Sequence, residues 1–172
     1  MTKIFIDPSC KILCMHISTL KETSYDKAND CSMVEDEKNQ VVNFDDYMQQ
    51  NYSLLKTNDA LFWTDSQYKS MMFVEFKNGD YKEKDLRLKC YDSIIMLSKI
   101  LGLSINQLSG IISYTLVHND PRNSIQKNIV DRSNITISSR MKHILPSFSE
   151  MVGSLLYNIE VLTSDEFELK YL

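Results

Sequence analysis

The stretch from Asn58 to Gly79 limits the fold of this chain more than any other. Two apolar runs, Ala60–Trp63 and residues 71–76, enclose the polar segment 64–70, the pattern of two short strands joined by a turn. The second run stops before Asn78-Gly79, a strong turn dipeptide. Residues two apart in a strand share a face. Glu75 and Lys77 therefore project together, and Phe76 between them points into the core. Asp59 stands at the mouth of the first run, beside the end of the second if the two strands are antiparallel. Two carboxylates and a lysine gathered at a sheet end suit a hard cation and an activated water.

The periods on either side predict helices. Phe44, Tyr47, Met48, Tyr52 and Leu55 recur at helical spacing over residues 44–55, with Asn43 as N-cap and Asp45 and Asp46 in the first turn. Residues 84–101 carry the clearest amphipathic stripe, through Leu86, Tyr91, Ile94, Ile95, Leu97 and Ile100, and Gly102 suits the position after the helix. Residues 104–108 read as a helical turn and 110–117, rich in β-branched residues, as a strand. Upstream, the runs 3–6 and 12–17 around Asp7-Pro8-Ser9 predict a hairpin, and the polar stretch 21–39 predicts a loop. Downstream, a helix over 139–156 interrupted by Pro146 and Gly153, a strand at 160–162 and a helical turn at 165–171 capped by Ser164 complete the reading. The order implies an α/β (α+β) fold with a mixed central sheet flanked by helices, in a single domain over residues 1–172.

Composition excludes several classes. No apolar run nears the roughly 20 residues of a membrane span, and the N-terminus lacks the character of a secretory signal, so the expected location is cytoplasmic. The four cysteines show no disulfide framework and are expected as free thiols. Cys10, Cys14, His16 and Cys31 offer one half of a zinc-site spacing without the other. A net charge of −4 argues against a general nucleic-acid coat. Segment 118–143 is nonetheless basic, with Arg122, Lys127, Arg132, Arg140 and Lys142 against Asp120 and Asp131; it is either a solvated loop or a phosphate-contacting flap. Gly-rich phosphate loops, Gly-x-Ser-x-Gly and His-Glu-x-x-His are absent from the sequence. His118, beside Asn119 and Asp120, reads as a loop histidine near a strand end, and Trp63 as core.

Asn58-Asp59, then Val74-Glu75-Phe76-Lys77, then a long amphipathic helix and an apolar strand, resemble the core of the PD-(D/E)XK nuclease superfamily. The likeness covers about residues 44–117, with N- and C-terminal additions. It implies a core of helix, strand hairpin, helix and further strand. It also implies that Asp59 and Glu75 bind Mg2+ (or Mn2+), that Phe76 lends its backbone carbonyl, and that Lys77 serves the attacking water. Many members carry a glutamine and a tyrosine one turn apart on the next helix; here Arg87 and Tyr91 stand four apart, and arginine suits a phosphate. Asn58 replaces the usual proline.

The function implied is a divalent-metal-dependent nuclease acting on nucleic acid, with Arg122, Lys127, Arg132 and Arg140 as candidate phosphate contacts. The alternative is a catalytically inactive nuclease-fold module that binds a partner protein or a second copy of itself. A third reading makes the chain a small-ligand or stress-regulatory domain, in which Glu75 and Lys77 form a cross-strand ion pair worth about 0.2–1 kcal/mol.

Overall fold

The computed structural model describes residues 3–119 and 145–172. Its frame is a six-stranded mixed sheet in the order β1 (Ile17–Thr19), β4 (Gln40–Asn43), β5 (Ala60–Trp63), β6 (Met71–Lys77), β7 (Ile112–His118), β8 (Asn158–Leu162). The first four strands pair antiparallel, and β6, β7 and β8 run parallel. A small hairpin of β2 (Tyr25–Asp26) and β3 (Cys31–Ser32) stands apart. The helices are α1 (Leu20–Thr23), α2 (Phe44–Asn51), α3 (Glu83–Leu101), α4 (Ile105–Ser109) and α5 (Ser164–Tyr171). Among the described residues no helix is long and apolar enough to cross a membrane.

Alternation along β6 builds two cores. Met71 and Phe73 face α2 and α3, where they pack with Phe44, Leu86, Ile94 and Leu97. Met72, Val74 and Phe76 face the other way, against Phe167 and Tyr171 of α5. Parallel pairing of β6 with β7 requires a crossover, and α3 supplies it. Gly102 ends α3 in the left-handed region, with φ +66°, a conformation that glycine adopts without a Cβ penalty.

The central hairpin, the long helix and the strand after it form where the sequence predicts them. Other segments differ. The expected N-terminal hairpin is replaced by one bridge between Phe5 and Trp63 and by a 3-10 helix, Leu13–His16. Asp7 winds this segment, because its carboxylate accepts from the Ser9 backbone and its carbonyl from Cys10. β1 pairs instead with β4, a strand whose only apolar signal is Val41-Val42. Helix α2 stops at Asn51 rather than Leu55, since Tyr52 leaves the helical region with φ −148° and Leu54 is exposed. In the predicted C-terminal helix, residues 139–144 lie outside the described residues. The remainder forms a 3-10 helix, Pro146–Met151, and a turn at Gly153. Thr163, not Ser164, caps α5.

Candidate functional site

The last pair between β5 and β6 is Ala60 with Val74. Glu75, Phe76 and Lys77 run past it, still paired to β7 on their other side. Asp59, one residue before β5, closes the gap: its Oδ2 accepts the Phe76 backbone N–H at 2.8 Å. The N–H and C=O of one strand residue share an edge, so the Phe76 carbonyl points to the same opening. Asp59 is anchored from both sides. Its own carbonyl accepts from Phe44 N at 3.0 Å, and the N–H of buried Asn58 donates to Ser93 Oγ on α3 at 2.9 Å.

Glu75 is fully buried. Its Oε1 accepts from Lys77 Nζ at 2.7 Å and from Lys89 Nζ at 2.7 Å, and Lys89 Nζ also lies 3.3 Å from Asp59 Oδ1. Glu75 Oε2 has no partner among the described residues, and neither does the Tyr114 hydroxyl, buried nearby. Burial, then the neighbouring Asp59 charge, push the Glu75 carboxyl up to about 7 against the pull of the two lysines. Asp59 is raised by burial in spite of Lys89 and Lys77. Burial opposes the charge on Lys89, but Glu75 and Asp59 outweigh it, and its ammonium is held above the usual range.

Two clefts meet here. One, of about 580 Å3, is bordered by Asp59, Phe76 and Lys77, by Asp45 and Asp46 at the start of α2, by Asp26 of the β2–β3 hairpin and by Asp80. A smaller one, of about 410 Å3, is bordered by Lys89 and shares Asp45 and Gln49 with the first.

Asp59, Glu75 and Lys77 therefore come together as the sequence predicts. Arg87 and Tyr91 do not join them: among the described residues neither bonds to any of the three, and Tyr91 packs against the core. The correction is one of helix phase. Lys89 lies two residues, about 200° of helix rotation, from each of them, so α3 turns Lys89 and not the Arg87–Tyr91 face toward Glu75. Sequence reasoning missed Lys89, although a signal exists. It lies within the buried stripe of Leu86, Cys90, Ser93 and Leu97, and a lysine there needs a buried anion.

The zinc set does not assemble. Cys10 and Cys14 both turn to Asp7, His16 pairs with Asp46 at 3.2 Å, and Cys31 sits beside Asn78. Burial and Asp7 push the Cys10 thiol up to about 11. All four cysteines are free thiols. His118 is a strand residue rather than a loop residue, and its Nδ1–H donates to the Lys77 carbonyl at 3.2 Å. Arg122, Lys127, Arg132 and Arg140 lie outside the described residues. Among the described residues no group of three or more His, Cys, Asp or Glu side chains is placed to hold a metal ion; the carboxylates here are a pair. Comparison with known proteins adds no relative: no family model matches the chain, and no curated protein or solved structure does either.

Proposed function

We propose that this chain is a divalent-metal-dependent hydrolase of nucleic-acid phosphodiester bonds, built on a nuclease-like core. The observation that carries the reading is the convergence of Asp59, Glu75 and Lys77 at an open strand end, with Lys77 2.7 Å from Glu75. The succession of α2, the β5–β6 hairpin, α3 and β7 supports it as well.

The donor set fits a hard cation. Mg2+ is bound through one or two carboxylates and keeps several waters. Asp59, Glu75 and the Phe76 carbonyl would hold it, and the unpartnered Glu75 Oε2 is an acceptor in need of such a ligand. The ion would lower the pKa of a bound water and offset charge on the phosphodiester. The chain's own residues supply the rest. Asp59 ties the end of β6 to β5 through Phe76 N. Lys77, which borders the larger cleft, orients a water entering that cleft by donating to it from Nζ. The acidic rim of Asp26, Asp45, Asp46 and Asp80 repels a polyanion, so substrate approach depends on bound cations or on the basic residues between Arg122 and Lys142.

One observation favours the second reading, an inactive interaction module. Lys89 already neutralises the two carboxylates from within. Cleavage assays on single- and double-stranded DNA and RNA with Mg2+ or Mn2+ separate the two. On the hydrolase reading the wild type cuts at least one substrate, D59N cuts none, and K77A retains metal binding without turnover. A wild type that binds neither metal nor nucleic acid leaves the module reading standing.

A further inference from the structure

The cation nearest the two carboxylates belongs to the protein. Lys89 Nζ lies 2.7 Å from Glu75 Oε1 and 3.3 Å from Asp59 Oδ1. A metal bound between the carboxylates would take Asp59 Oδ1, the oxygen beside Lys89, and the unpartnered Glu75 Oε2, with bonds of about 2.0–2.1 Å for Mg2+. An ammonium and a divalent ion cannot share that gap, since both are cations within a few ångströms. The Lys89 side chain is 19% exposed and borders the smaller cleft, together with Asp45, Gln49, Ser53 and Lys56.

Asp45 gives the displaced ammonium a destination. It occupies the first turn of α2, is half-buried, and is bonded by Thr57 Oγ1 and Gln49 Nε2. It borders both clefts, and its charge already acts on Lys89. Three carboxylates thus act on one lysine: Glu75 and Asp59 in direct contact, and Asp45 across the cleft that it shares with Lys89.

We infer that Lys89 is a built-in competitor for the metal position, holding Asp59 and Glu75 together in the metal-free protein and moving to Asp45 when a divalent cation enters. The inference rests on the metal reading given under Proposed function. It adds that the apparent affinity for metal is set by an internal exchange of one cation for another. A lysine suits that part better than an arginine, because its flexible stem carries a point charge without a fixed fork geometry.

The test is Mn2+ binding, measured calorimetrically at one pH and low ionic strength on the full chain, for wild type, K89Q, K89R, D45N and K89Q/D45N. Thermal melting with and without Mn2+ accompanies each. K89Q should bind Mn2+ about tenfold tighter than wild type, equivalent to about 1.4 kcal/mol of removed competition. It should also gain more in melting temperature from the ion. D45N should weaken binding about threefold in the wild-type background, since the destination is lost, and should have no effect in the K89Q background. K89R should bind no tighter than wild type. Equal or weaker binding by K89Q overturns the role of Lys89 while leaving the metal reading intact. Should K89Q fail to fold, D45N decides: unchanged affinity overturns the exchange. Absence of Mn2+ binding in every folded variant overturns the metal reading and this inference with it.

Discussion

Glu75 and Glu160 are buried on opposite faces of the same sheet, Glu75 under α3 and Glu160 under α5, and their surroundings differ in kind. Glu160 has both oxygens engaged. Oε1 accepts from Lys170 and Asn158, and Oε2 accepts from Tyr171 at 3.1 Å. Glu75 has two ammonium groups on Oε1, none on Oε2, and a second carboxylate beyond Lys89. A buried charge is tolerated when it is paired and its lone pairs are met; Glu160 meets that condition and Glu75 meets half of it. Glu160 closes a helix onto a sheet. Glu75 crowds charge beside an open cleft and leaves an acceptor unused, the arrangement on which the proposed metal site rests.

The largest effect that would sharpen this contrast is that of Lys89→Met. Removing the shared cation leaves two carboxylates facing each other, and a broken buried pair costs about 3–5 kcal/mol in denaturant unfolding at pH 8. The loss should shrink toward pH 5 as Glu75 takes up a proton. A change below about 1 kcal/mol would mean that water screens the pair, and the contrast would fail. Glu160→Gln comes next, with a loss of about 2 kcal/mol at pH 8 from weakened charge-assisted bonds. The smallest effects come from two tyrosines compared by melting. Tyr171→Phe deletes a bond to Glu160 and should cost about 1.5 kcal/mol. Tyr114→Phe deletes a buried hydroxyl with no partner among the described residues, so stability should rise by less than about 1 kcal/mol. Equal losses from the two tyrosines would erase the difference between the faces.

The parts of the molecule legible in the sequence are those whose signals are local. The β5–β6 hairpin and α3 each carry their own period, and Asp59, Glu75 and Lys77 follow from position within the hairpin. Lys89 was not legible, because its role depends on how α3 is rotated over the sheet, which the packing of Leu86, Cys90 and Leu97 decides. β4 was missed for a related reason: a strand with two buried residues, Val41 and Val42, has too short a period to read. The wound segment after Asp7 escaped because one side chain's hydrogen bonds, not an apolar pattern, shape it. The pairing of Glu160 with Lys170 and Tyr171 joins a strand to the helix after it, and nothing in either period announces it.

Burial and the Asp59 charge favour the protonated form of Glu75, so its ionisation costs the fold stability, and the stability of wild type and Glu75→Gln compared across pH tests this most directly. The ordinary value for this carboxyl is 4.5, and burial and Asp59 push it up to about 7 in the folded chain. Between those values the folded state keeps a proton that the unfolded state has released. The stability contributed by this group therefore falls as pH rises. Unfolding free energies measured from pH 4 to pH 8 should show Glu75→Gln gaining on wild type steadily from about 4.5 to about 7, then running parallel to it. A difference that stays flat across that window, or a variant that loses ground as pH rises, would contradict the claim and make Glu75 a stabilising ion pair like Glu160.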